Sequence, residues 1–102
     1  MGAMIVEITN YYAKPGTTDE VLVHRRRGSA LREQLGLPAG KIFVKLSGDG
    51  PDVRWECSFP TMSDFEADMA ARAKSPEFGN QRKQMGELLE RFERHVQQSD
   101  GA

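Results

Sequence analysis

The sequence predicts an α+β domain of order βαββαβ, an antiparallel sheet with its helices packed on one face. Three observations predict it. Residues 4–12 and 53–59 are β-branched and aromatic runs free of Gly and Pro. Two segments open with a hydroxyl three residues ahead of a carboxylate, Thr17 with Glu20 and Ser63 with Glu66, the spacing that starts helices. Ser47-Gly48-Asp49-Gly50-Pro51-Asp52 supplies six turn formers between two alternating runs, which indicates an antiparallel hairpin.

Taken in order, the first strand ends at Lys14-Pro15-Gly16, a strong turn signal. The first helix runs from Thr17 to about Leu35 and stops at Gly36-Leu37-Pro38, where Gly36 can adopt the left-handed conformation and Pro38 blocks continuation. At 100° per residue, Val21, His24, Gly28, Leu31 and Leu35 share one arc, which predicts the buried side. Gly28 in mid-helix costs about 1 kcal/mol relative to Ala, so a close approach by another group is expected there. Residues 41–46 and 53–59 alternate as strands, with Ile42, Val44 and Leu46 on one face of the first and Val53, Trp55, Cys57 and Phe59 on one face of the second. The second helix carries Met62, Phe65, Met69 and Ala73, and at Ser75-Pro76 a new helix begins, kinked against the previous one, because Pro suits a first helical turn and Ser caps it. The last segment fits either period. A fourth strand at residues 90–97 is preferred, since three strands would leave an edge and a face uncovered.

With 102 residues, 38% hydrophobic and 28% charged, the chain has room for one domain. That domain is placed at residues 4–98, with 1–3 a native start or tag remnant and 99–102 a flexible C-terminal tail. A chain this small favours self-association, because it buries a small fraction of its surface alone. Fourteen basic and fifteen acidic residues nearly cancel, which argues against nucleic acid as a partner. No apolar run reaches transmembrane length, and the N-terminus lacks a secretory layout, so no membrane association is expected. The single cysteine, Cys57, favours a reducing, cytoplasmic setting. Two His and one Cys without paired ligand spacing give no metal site.

Candidate functional residues are few. Asn10 and Tyr12 share a strand face with Val6 and Ile8, placing an amide and a phenol at the end of an apolar wall, where they could orient a ligand or serve strand-end turn chemistry. His24 on the buried arc could exchange a proton near neutral pH, or be satisfied by a backbone carbonyl. Trp55 could stack on a flat ligand, with core packing as its default role. Cys57 reads as an inert small hydrophobe, and Met62, Met69 and Met85 as core filler. In His24-Arg25-Arg26-Arg27 the charges spread around the helix and read as a solvated surface.

Met4-Ile5-Val6-Glu7 leading through Tyr12 to Lys14-Pro15-Gly16, then a hairpin, then Ser63-Asp64-Phe65 and a helix reaching Ser75-Pro76-Glu77-Phe78, resembles the NIPSNAP-type branch of the dimeric α+β barrel superfamily. That superfamily also holds the antibiotic-biosynthesis monooxygenase domains. The resemblance covers residues 4–78. It implies a ferredoxin-like protomer that pairs with a second copy into a barrel, with a pocket between each sheet and its helices. It further implies a small apolar or aromatic ligand and, in the oxygenase branch, chemistry without metal, flavin or other cofactor. There His24 would be the catalytic base, Asn10 and Tyr12 the hydrogen-bond donors, with the register able to select Thr9 in place of Asn10, and Trp55 the stacking wall. The NIPSNAP-like alternative is a non-catalytic ligand-binding or protein-interaction module, so the resemblance leaves open whether the chain is an enzyme. The haem-degrading branch uses a histidine in the second helical region, and Gly79-Asn80-Gln81-Arg82-Lys83-Gln84 has none, which disfavours that activity.

Overall fold

A computed structural model of the chain describes residues 3–101; residues 1 and 2 of the expected start segment and residue 102 of the expected tail lie outside them. The elements are β1 (Ile5–Ala13), α1 (Thr18–Gln34), β2 (Lys41–Val44), β3 (Val53–Phe59), α2 (Met62–Ala73), α3 (Pro76–Glu87) and β4 (Leu89–Gln98). The sheet order is β2-β3-β1-β4, antiparallel throughout. The ambiguous last segment is therefore a strand. Its ladder along β1 satisfies backbone groups that a third helix layer would leave exposed on the central strand. At the far end, the Ser99 N–H donates to the Met4 carbonyl at 2.8 Å and the Met4 N–H to Ser99 Oγ.

Local chemistry explains most boundaries. Gly36 takes φ 76°, and the Leu37 N–H reaches back to the Arg32 carbonyl at 2.8 Å, closing α1 as the Gly-Leu-Pro sequence predicts. The Ser75 hydroxyl accepts from the Phe78 N–H, so α3 starts at Pro76 as a separate helix. Two caps differ from expectation. Thr17 precedes α1 without capping it, because its hydroxyl lies 2.8 Å from the Lys14 carbonyl and 2.9 Å from that of Leu88. The second helix is capped by Thr61 rather than Ser63, with Thr61 Oγ1 accepting from the Asp64 N–H at 3.1 Å. Leu35, expected on the buried arc, is exposed at the C-cap of α1.

Strand alternation divides the sheet into two unlike faces. Ile5, Glu7, Thr9 and Tyr11 of β1 stand beside Phe59, Cys57, Trp55 and Val53 of β3 on the face that the helices cover. The core comprises Ile5, Tyr11, Val21, Val53, Trp55, Cys57, Phe59, Phe65, Met85 and Leu89. Met85 fills it as expected, whereas Met62 lies exposed at the start of α2 and Met69 stands half-exposed at the cavity wall, its sulfur 3.7 Å from Arg94. Burying Cys57 pushes its thiol up, away from the reactive thiolate form.

A chain of ion pairs runs through this layer. Arg32 on α1, fully buried, meets Asp68 on α2 at 2.6 Å. Arg72, one turn on from Asp68, sits 3.1 Å from its second oxygen and grips both oxygens of Glu7 at 2.9 and 3.0 Å. Arg94 on β4 closes the chain on Glu7 at 2.9 Å. Helix α1, helix α2 and two strands are thus tied by charges that cannot be left single in a low-dielectric interior.

The opposite face is mixed. Val6 and Ile8 lie there among Arg54, Glu56, Ser58, His95 and Gln97. At one end the Tyr12 hydroxyl donates to Glu93 Oε1 at 2.9 Å and Arg91 approaches Oε2 at 3.1 Å. The Tyr12 bond, followed by that of Arg91, holds the Glu93 carboxyl below the usual range, and the same Tyr12 bond raises the phenol.

Two outcomes follow from these charges. Asp68→Ala strands the Arg32 guanidinium and should lower the unfolding free energy by about 3–5 kcal/mol in urea titration; a loss below about 1 kcal/mol would show the pair to be dispensable. Because Glu93 titrates lower folded than unfolded, its contribution is complete above the unfolded value of about 4.3 and disappears as pH falls through the folded value. Glu93→Gln should therefore make the stability profile shallower below about pH 4.5, weakly and less so in high salt; an unchanged acid slope in low salt contradicts the assignment.

Candidate functional site

Helices α1, α2 and α3 do not close fully on the sheet. Between them lies a cavity of about 410 Å³. Its floor is Thr9 and Tyr11 of β1 with Trp55 of β3, its roof is drawn from α1 and α3, and Phe92 and Arg94 of β4 stand at one side. Phe92 is 59% exposed, so this side opens to solvent at the sheet edge.

Trp55 is fixed from below and above. Its indole N–H donates to the Ala39 carbonyl at 2.9 Å, and it lies against Gly40, where a Cβ would collide with the ring. Gly40 also has φ 76°, so glycine is favoured at this position on two counts. The guanidinium groups of Arg25 and Arg32, two turns apart on α1, rest on the Trp55 ring with centroid distances of 4.9 and 4.8 Å.

His24 is buried in the cavity wall. Its Nε2 lies 3.0 Å from the Gln81 carbonyl, joining α1 to α3. A carbonyl only accepts, so Nε2 carries a proton in this bond, which leaves Nδ1 as the ring's one possible acceptor.

The four residues singled out in the sequence fall into two pairs. His24 and Trp55 line the cavity. Asn10 and Tyr12 are one residue out of phase with Thr9 and Tyr11, so they lie on the opposite face, where both bond to Glu93 Oε1, Asn10 at 3.5 Å. The sheet separates the pairs, and they form no single constellation. Cavity residues that pattern reading passed over are Tyr11, Phe78 and, above all, Arg25. Arg26 and Arg27 are exposed as expected of a solvated run, but Arg25 is only 9% exposed. Its place was visible in helical geometry: Val21, Arg25, Gly28 and Arg32 lie within about 60° on the α1 wheel. Gly28 gives that side chain room, since an added Cβ would stand 2.8 Å from Arg25 Nη2.

The cavity wall is rich in cations. Arg25, Arg32, Arg72, Arg82 and Arg94 line it against a single carboxylate, Glu7. Among the described residues, no group of three His, Cys, Asp or Glu side chains is placed to hold a metal ion, and no helix is long and apolar enough to cross a membrane.

No protein-family model matches the chain, and no curated protein is similar to it in sequence. Solved structures are similar to it in fold. A NIPSNAP family protein from Agrobacterium tumefaciens superposes with a TM-score of 0.78 at 21% identity, covering 100% of this chain and 91% of that one. A dimeric protein of unknown function and ferredoxin-like fold from Bacteroides fragilis gives 0.70 at 14%, covering 94% and 96%. An antibiotic biosynthesis monooxygenase gives 0.66 at 17%, covering 97% and 98%. These are the groups that the sequence resembles, and at such identities the likeness is one of architecture: the chain has the ferredoxin-like α+β fold.

Proposed function

We propose that the protein binds a small, mostly apolar or aromatic molecule between its sheet and helices, and does so as a homodimer. The cavity carries this reading: about 410 Å³ walled by Tyr11, Trp55, Phe78, Met85 and Leu89, within the roughly 300–1,000 Å³ typical of small-molecule sites. Dimerisation is supported by apolar side chains uncovered at both sheet edges, Phe43 and Val44 on β2 and Phe92 and Val96 on β4. The description of the Bacteroides neighbour as dimeric points the same way.

A catalytic form of this reading draws on the monooxygenase neighbour and on His24 in the cavity wall. In it His24 takes a proton from a bound substrate, which then reacts with oxygen without a metal or flavin. The bond from His24 to the Gln81 carbonyl favours the non-catalytic form, because it gives the ring a structural duty between α1 and α3.

Trp55 is the only tryptophan of the chain and reports directly on the cavity. Titration with quinols, aromatic polyketides and fatty acids should give saturable changes in its emission and a raised melting temperature with at least one class. His24→Ala should keep that binding, and loss of turnover in this variant on an identified substrate would select the catalytic form. If no probe alters either signal, the binding reading fails. Light scattering at micromolar concentration should give twice the 11.4 kDa of one chain; a monomer mass would contradict the dimer.

A further inference from the structure

We propose that the molecule held in this cavity is an organic anion, a carboxylate on a flat apolar body, and that Arg25 receives its charge; this rests on the ligand-binding reading above. Of the five arginines in the wall, Arg32 is matched by Asp68, Arg72 by Asp68 and Glu7, and Arg94 by Glu7. Two carboxylates thus serve three guanidinium groups, and Arg25 adds a fourth that meets no carboxylate among the described residues. Arg82 widens the imbalance at the rim. A cleft with one sign of charge and apolar walls concentrates ions of the other sign.

Arg25 is an unusual member of this set. A buried guanidinium normally keeps a carboxylate, since desolvation of an unmatched charge costs several kcal/mol. Here the neutral Tyr11 hydroxyl, 3.1 Å from Nη1, is its hydrogen-bond partner. Nε and Nη2, which share the opposite edge of the planar group, have no partner. Two N–H groups on one edge form the fork that matches both oxygens of a carboxylate. That edge is buried over Gly28, where an added Cβ would stand 2.8 Å from Nη2, so a carboxylate engages it once the end of the side chain turns from Gly28 toward the cavity that Arg25 lines. Because Arg25 and Arg32 already cover the Trp55 ring, Tyr11, Phe78 and Met85 supply the apolar wall for the rest of the molecule.

The test compares 2-naphthoate with 2-naphthamide, which share ring and shape and differ in charge, by isothermal titration calorimetry. Wild type should bind the acid at least about tenfold more tightly, the difference of one charge-assisted fork against a neutral bond. Arg25→Gln should bring the two within about threefold by weakening the acid alone, and Arg25→Lys should fall between, keeping charge without the fork. Without ligand, Arg25→Gln should melt no lower than wild type, because it removes an unmatched buried charge; a side chain held only for structure would lower it. Equal binding of acid and amide to wild type would overturn the anion proposal and leave the binding site standing. Preference for the acid that survives Arg25→Gln would overturn the assignment to Arg25. If neither compound binds, both readings fall together, and the wild-type comparison decides between these cases even where a variant folds poorly.

Discussion

A guanidinium taken out of water needs a partner, and that requirement organises the interior of this small domain. Arg32, Asp68, Arg72, Glu7 and Arg94 form one continuous line of opposite charges from α1 across α2 to β1 and β4. Apolar packing alone would fix these elements less specifically, since hydrophobic contact is non-directional whereas a two-point grip such as Arg72 on Glu7 sets an orientation. The same line holds α2 against the sheet beside a space that side chains do not fill. The cavity and the ion pairs are therefore two consequences of the same placement of long charged residues where a core would ordinarily have aliphatic ones.

The sheet also separates two kinds of surface. On the helix side lie the aromatic floor, His24 and the arginines. On the other lie Asn10, Tyr12, Arg91 and Glu93, a polar cluster joined through the Glu93 carboxylate, with Tyr12 stacked under the Arg91 guanidinium at 3.6 Å. Period-two alternation makes this division absolute: no change of rotamer carries Tyr12 to the side of Tyr11. Chemistry requiring His24 together with Asn10 has no geometric basis within one chain.

Much of the architecture was legible because it rests on patterns with one physical origin. Strand alternation gave β1 and β3, Gly36-Leu37-Pro38 gave the end of α1, and Ser75-Pro76 gave the break between α2 and α3. Strand β4 was legible only through topology, since Phe92 and Val96 satisfy a helical period equally well and the ladder with β1 decides between them. The caps at Thr17 and Thr61 show the opposite: several hydroxyls compete at a helix start, and tertiary acceptors such as the Leu88 carbonyl choose among them. The site was half legible. His24 and Trp55 follow from apolar periodicity, but Glu7, Arg25 and Arg32 carry charges that periodicity counts as solvent-facing, and their burial depends on partners far away in the chain. The mid-helix Gly28 was the one local sign that something occupies this side of α1, and that something is Arg25.

The proposed ligand needs an open, arginine-lined chamber beneath α1. A crystal structure of the protein grown with 2-naphthoate addresses this most directly. The expected result is a naphthalene ring among Tyr11, Phe78 and Met85 with both carboxylate oxygens on the Nε and Nη2 edge of Arg25. A chamber filled by the protein's own side chains, or an Arg25 turned away onto a carboxylate of this chain or of a second copy, would contradict it.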